Sequence, residues 1–342
     1  MPIKTPFYAA FNELAQLALS YRSAKPLLVA LHYDLFTWIE KGYDAVPRLS
    51  RRLGLDARAT RLLLDALCAL GRLEKHGTRY RNTRAGRRLL VASSPEYMGS
   101  NLRYQEYTWD AWSDLRHVLK SGKPRTDLLG LIGKDFFTGD YIRAMGDVTR
   151  EPARDLAAKL GWEGATRCLD VGSGAGTFAA AFVEAAPGVS ADLFDLPAPL
   201  AVARGLLKGH PRFGRFGFRE GNYLKDSLGE GEYDQVLISN VTRVEDVKVN
   251  RMLVRKAFKA LRPGGRLVIH DYVIDADRTG PRFSALLNLH LLVFTGKGSA
   301  YTADEYAGWL RQAGFEDLKR IPVSPESLHP SLAVVGRKPA RA

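Results

Sequence analysis

The sequence predicts an α/β protein: a Rossmann-like, seven-stranded sheet preceded by a mainly α winged-helix domain. Three observations carry this. From about residue 164, short apolar runs alternate with helical segments, the pattern of a parallel sheet covered on both faces. The first run ends in "CLDVGSGAGTFAAAF", a glycine-rich passage from strand to helix. Ahead of it, the first 100 residues carry apolar positions at helical spacing and then a short β-like segment. The content of 46% hydrophobic and 25% charged residues over 342 residues is that of a globular protein with room for two domains.

The elements follow in order. "SAKPLLVALHYDLFTWIE", "AVPRLSRRLGL" and "DARATRLLLDALCALGRLEKHG" read as helices, with Gly54 and Gly71 as stops, and "TRYRNTRAGRRLL" reads as a two-stranded wing. We place this first domain at residues 1–100. Residues 101–160 are again mostly helical, with Tyr97, Tyr104, Tyr107, Trp109 and Trp112 crowded near their start. Residues 161–342 form the α/β domain. Its strands are "TRCLDV", "SADLFDL", "RFGFREG", "YDQVLIS" and "GRLVIHDYVI", followed by the helix "TADEYAGWLRQAGF" and a final pair, "EDLKRIPV" and "SLAVVGRK".

The opening "MPIKTPFYAAFNELAQLALSYRSAK" has no basic region followed by an apolar core, and no run approaches the roughly 18 apolar residues that span a bilayer. A cytoplasmic location without membrane attachment is expected. Two cysteines, Cys68 and Cys168, offer neither a disulfide framework nor a metal site and are expected as buried thiols.

In "CLDVGSGAGTF", Asp170 closes an apolar strand, and Gly172, Gly174 and Gly176 permit a tight turn on which a ligand can approach the backbone. A dinucleotide fingerprint needs G-x-G-x-x-G, but Thr177 takes the last glycine position, which argues against NAD. Asp195 ends the second strand, where a carboxylate accepts hydrogen bonds from both ribose hydroxyls of a nucleoside.

Together with "AKPLLVALHYDLFTWI", "DLP", "GNYLKD", "LRPGGRLVIHDYVID" and "YTADEYAGWLRQAGF", this turn resembles the class I S-adenosylmethionine-dependent methyltransferases. More narrowly, it resembles their small-molecule O-methyltransferases with a winged-helix dimerisation domain, the caffeic-acid, hydroxyindole and bacterial polyketide type. The resemblance implies S-adenosyl-L-methionine as cofactor, a small aromatic or polyketide-like acceptor, a homodimer, and no metal. It places Gly172, Gly174 and Gly176, with Asp170, around the methionine end of the cofactor, and Asp195 and Leu196 at the ribose. Asn222 and Tyr223 fall at the adenine, Asn222 where the family usually has Asp, and Ser239 is a further cofactor contact. It sets Met145 and Thr149 at methionine or acceptor, and makes residues 101–160 a contributor to the acceptor pocket.

Methylation of a phenol with a pKa of about 10 usually calls for a general base. The resembled family supplies a histidine after the fourth strand, and the ungapped correspondence puts Arg243, in "VTRVEDVK", at that position. Arginine accepts no proton at neutral pH. The two acidic residues that flank the histidine fall on Asp271 and Ala300. Replacement bases are Asp271, preferred over its neighbour His270, and His290 on the helix that lines the acceptor pocket. Alternatively Arg243 pairs with a carboxylate, phosphate or phenolate of the substrate, or steadies an enolate in methylation at carbon. A merely structural Arg243 would face solvent or cap the next helix through Glu245 and Asp246. A cofactor-sensing regulator is the reading from a different class.

Residues 1–100 hold 16 Lys+Arg against 8 Asp+Glu, out of a chain net charge of +13. A helix-turn-helix presenting Arg58 and Arg61 to DNA is one reading. The Leu- and Ala-rich "RLLLDALCAL" suits burial better, so dimerisation is expected rather than nucleic-acid binding.

Overall fold

The structure, a computed structural model, describes residues 6–125, 130 and 135–340. The chain divides into two units, Met1–Tyr107 and Thr108–Ala342.

In the first unit the helices Tyr21–His32, Leu35–Glu40, Val46–Leu53 and Ala57–Ala69 enclose Phe36, Leu49, Leu64, Leu67 and Tyr80. Gly54 stops the third of these in the left-handed region at φ +67°, and Asp56 caps the fourth by accepting from the Ala59 amide at 2.7 Å. The wing is β1 (Leu73–His76) paired antiparallel with β2 (Arg79–Asn82), which corrects the expectation that both strands lay within residues 78–90. Residues Arg84–Leu90 are helical because the Thr83 hydroxyl accepts from the Gly86 amide at 3.1 Å and the run that follows favours helix.

The second unit is built on seven strands: β3 (Arg167–Val171), β4 (Ser190–Asp195), β5 (Phe216–Glu220), β6 (Tyr233–Ser239), β7 (Leu261–Asp271), β8 (Glu316–Val323) and β9 (Ser331–Arg337). Their order is β5-β4-β3-β6-β7-β9-β8. The first five are parallel, and β9 pairs antiparallel with both β7 and β8. Side chains alternate between two cores. Leu237 and Val268 point into the layer holding Phe178, Phe182 and Leu200, whereas Val236, Ile238, Leu267 and Ile269 meet Leu253, Val254 and Trp309. With both faces buried, the strands must be near-continuously apolar, as their sequences are.

Strand order reverses between β3 and β6, so the loops leaving their carboxyl ends diverge and open a crevice there. The helix Asp135–Lys159 packs beside Thr177–Ala185 and supplies a wall of that crevice. Among the described residues no helix is long and apolar enough to cross a membrane, and Cys68 and Cys168 are free thiols, only Cys168 fully buried.

Candidate active site

A cavity of about 420 Å³ lies at the carboxyl ends of β3, β4, β6 and β7. Gly172, Gly174 and Gly176 all have positive φ, +67°, +53° and +73°. At Gly172 a Cβ would sit 2.5 Å from the Val241 side chain, and at Gly176 2.7 Å from Leu193, so the turn lies tight against the sheet as well as open to a ligand. Asp195 holds it there. One carboxylate oxygen accepts from the Gly174 amide at 2.8 Å and the other from the Leu196 amide at 2.7 Å, which leaves each oxygen spare acceptor capacity beside the cavity. Burial pushes the Asp195 pKa up, against the two amide bonds.

Asp170 lines the same cavity with its Oδ2 buried and unpartnered, and so does the Ser173 hydroxyl. Burial, and next the charge of Asp195, raise Asp170 to about 7. An orphaned buried acceptor costs about 1–3 kcal/mol, and a cationic ligand group relieves that cost. Asn222 is already engaged: its Oδ1 accepts from the Leu224 amide at 2.9 Å, leaving one lone pair for an adenine amino group. Tyr223 donates to Glu245 at 3.0 Å, and the other Glu245 oxygen pairs with Lys297 at 2.6 Å. Burial, then the Glu245 charge, raise the Tyr223 pKa.

Ser239 closes β6 and belongs to a hydrogen-bonded chain. The Asn240 side-chain Nδ2 donates to Ser239 Oγ at 2.9 Å, which stands 2.9 Å from His270 Nδ1. His270 Nε2 lies 2.8 Å from Ser331 Oγ, which donates to the Val323 carbonyl, so Nε2 carries the proton. Burial lowers His270 to about 4, and the ring stays neutral in this chain. Met145 and Thr149 both line the cavity, although the Thr149 hydroxyl donates to its own helix at Met145 O, 2.8 Å.

Arg243 sits in the single 3₁₀ turn Thr242–Val244 after β6 and lines the cavity. It neither faces solvent nor caps the next helix, which Asp246 caps alone by accepting from Val249. Its Nη1 donates to Asp271 at 2.8 Å and to Asn240 Oδ1, and its guanidinium lies 5.2 Å from the Tyr272 ring centre. Burial acts to lower its pKa, but the charge of Asp271 and the hydrogen bond to it oppose this, and the net shift is upward. The side chain is a permanent cation.

Two expected bases do not reach the cavity. Asp271 is wholly buried and saturated, accepting from Thr242 Oγ1 at 2.8 Å, from the Arg243 and Tyr272 amides and from Arg243 Nη1. It lies under Arg243 as a counter-ion. His290 accepts from Trp112 Nε1 at 3.1 Å, packs 4.3 Å from Phe294, and is lowered by burial to about 4. Ala300 is buried, its amide on Asn288 Oδ1 at 2.6 Å. Among the described lining residues none is histidine.

Sequence reasoning missed Tyr141, Asn240, Glu245, Tyr272 and Lys297. Asn240 carried a signal, since an Asn directly after a strand tolerates positive φ, here +59°. Tyr272 follows Asp271 at a strand end and was readable as a lip residue. Tyr141, Glu245 and Lys297 reach the cavity only through tertiary packing.

A family model for the O-methyltransferase domain matches residues 131–316, and one for the O-methyltransferase dimerisation domain matches 15–92. The chain belongs to the O-methyltransferase family. It is an S-adenosylmethionine-dependent methyltransferase with a dimerisation domain at its front, as the family resemblance implied. The tetracenomycin polyketide synthesis 8-O-methyl transferase TcmO of Streptomyces glaucescens is 29% identical, covering 96% of this chain and 97% of that one. The 3-hydroxy-5-methyl-1-naphthoate 3-O-methyltransferase of Streptomyces sahachiroi is 30% identical over 90% of each. An O-methyltransferase family protein from Burkholderia thailandensis superposes with TM-score 0.84 at 26% identity, covering 97% of this chain and 99% of that one.

Proposed function

We propose that this O-methyltransferase carries a methyl group from S-adenosylmethionine to a hydroxyl oxygen of a small aromatic, polyketide-type acceptor, as a cytoplasmic homodimer. One observation carries the reading: a single cavity joins the glycine turn and Asp195 to an aromatic-walled end formed by Tyr141, Tyr272 and Arg243. The bound cofactor supplies an electrophilic methyl group on a sulfonium that needs no acid to leave. The chain's own residues bind and orient. Asp195 and Leu196 hold the ribose, Asn222 and Tyr223 the adenine, and Ser239 a further edge. Asp170 and Ser173, with their unpartnered oxygens, suit the ammonium of the methionine end. Met145 and Thr149 wall the passage to the acceptor and exclude water.

The polyketide and naphthoate relatives support an aromatic acceptor, and the O-methyltransferase domain match favours oxygen over carbon and enzyme over regulator. A homodimer is supported by the helix Pro6–Leu19 and the residues after it, whose Tyr8, Phe11, Leu14, Leu17 and Tyr21 are all exposed at helical spacing. The same apolar face supports dimerisation rather than nucleic-acid binding for the basic front domain. Methyl-labelled cofactor and a panel of hydroxynaphthalenes and hydroxyanthraquinones test the reaction. The expected product is an aryl methyl ether; label on carbon, or no product from protein that binds the cofactor, overturns it.

A further inference from the structure

We infer that the acceptor is held as an oxyanion on the free edge of Arg243, which makes Arg243 the specificity-determining residue for acidic aromatic acceptors. The inference rests on the O-methyl transfer reading above. The oxyanion is either the phenolate to be methylated or a carboxylate beside it.

A guanidinium has five N–H donors in a fixed fork. Both hydrogens of Arg243 Nη1 are spent, one on Asp271 Oδ1 and one on Asn240 Oδ1. Among the described residues no acceptor takes Nε or Nη2, and neither atom is a buried orphan. The edge they form is therefore reachable, and Arg243 lines the cavity. Two parallel N–H groups match one oxyanion or the two oxygens of a carboxylate.

The edge is also held still. Asp271 takes donors from Thr242, Tyr272 and Arg243, the Arg243 carbonyl accepts from the Ser299 amide at 2.9 Å, and Tyr272 stacks beside the guanidinium. Asn240, turned by its positive φ, is tied in turn to Ser239. Asp271 and Asn240 are positioning residues for Arg243.

The titratable groups that feel the Arg243 charge come from four elements. Asp271, His270 and Tyr272 lie at the end of β7, Tyr141 on Asp135–Lys159, His290 on Arg282–Phe294, and Tyr306 on Ala303–Gln312. Burial raises all three tyrosines and lowers both histidines to about 4, so none of these five takes a proton from a bound phenol at neutral pH. Asp271 is occupied by Arg243. A phenol of pKa about 10 is ionised to roughly one part in a thousand at pH 7. A cation in contact lowers such a pKa by about 1–3 units, raising the ionised fraction at pH 7 roughly tenfold to five-hundredfold. The phenol proton goes to water before transfer. The oxygen lone pair then forms the new O–CH₃ bond while the C–S bond breaks and its electron pair stays on sulfur, leaving an ether and a neutral thioether.

The test uses full-length protein saturated with S-adenosylhomocysteine and read by absorbance of the ligand, so that Asp170, which titrates near 7, does not report. A nitronaphthol without a carboxylate is expected to bind as its anion, with an apparent pKa at least one unit below its value in buffer. Arg243→Met abolishes that shift and Arg243→Lys keeps part of it, while S-adenosylhomocysteine affinity stays within twofold. If the anion read is a carboxylate, a hydroxynaphthoate binds at least tenfold more tightly than its methyl ester, again only with Arg243 present. Should Arg243→Met not fold with Asp271 left unpaired, the double variant Arg243→Met, Asp271→Asn removes both charges. Absence of both the ionisation shift and the acid–ester difference, or survival of either in the variant, overturns the inference. Failure of the methyl-transfer reading looks different: acceptors bind and ionise, yet no methyl ether forms with the cofactor.

Discussion

Replacing Asp195 by asparagine, ordinarily a mild change, is expected to be costly at this site. Both carboxylate oxygens already accept backbone amides, Gly174 on one and Leu196 on the other. Asparagine has a single acceptor oxygen, so whichever way its amide turns, an NH₂ group faces a backbone N–H. One hydrogen bond to a charged acceptor is lost from the apo protein, about 1.5–3 kcal/mol, and the strand-to-helix turn loosens. The ribose contact loses one charge-assisted bond as well, another 1.5–3 kcal/mol or so. That corresponds to an affinity loss of about 10- to 150-fold. Titration calorimetry with S-adenosylhomocysteine measures the second effect and urea unfolding the first. A dissociation constant within twofold of wild type would refute the reasoning, because it would mean that neither oxygen of Asp195 faces the cofactor.

Asp170 ionises near 3.8 when unfolded and near 7 when folded, so between those values the folded state holds the extra proton and stability falls as pH rises. Asp170→Asn removes that loss, and its stability advantage over wild type grows by up to about 4 kcal/mol from pH 4 to pH 8; a pH-independent difference in urea unfolding would contradict this. Gly176→Ala combines a left-handed backbone, about 1–2 kcal/mol, with a Cβ placed 2.7 and 2.9 Å from Leu193 and Leu207. With overpacking of about 1–3 kcal/mol, destabilisation of about 2–5 kcal/mol is expected as a lower urea midpoint. His290→Gln retains an acceptor for Trp112 and leaves turnover within about threefold, whereas a general base would lose about 100-fold or more. His290 falls to about 4 on folding, so the unfolded state binds more protons between that value and about 6.5, and stability drops as pH falls through this window. His290→Gln also removes that part of the acid lability, read as the pH dependence of thermal unfolding.

The sequence by itself determined the parallel sheet, the glycine turn and the carboxylate that closes it, because these depend on local pattern. Unbroken apolar runs make strands buried on both faces, glycine alone accepts left-handed turns this close to the sheet, and the residue ending a strand next to a switch point must lie by the crevice. It also put Arg243 in the loop after the fourth strand, which lines the cavity. The wing slipped by several residues because a cap at Thr83 converts the second half of its segment to helix. The sequence did not decide which ionisable groups work. Strand alternation put Asp271 on one face and His270 on the other, but both are enclosed: Asp271 by donors from Thr242, Arg243 and Tyr272, and His270 by Ser239 and Ser331. Apart from the adjacent Tyr272, those partners lie 28 to 61 residues away in the chain and meet Asp271 and His270 only when the strand ends converge. Tertiary packing therefore turned an expected base into a counter-ion, and a missing histidine into a rigid cationic edge, because burial and hydrogen-bond saturation are properties of the assembled crevice and of no segment alone.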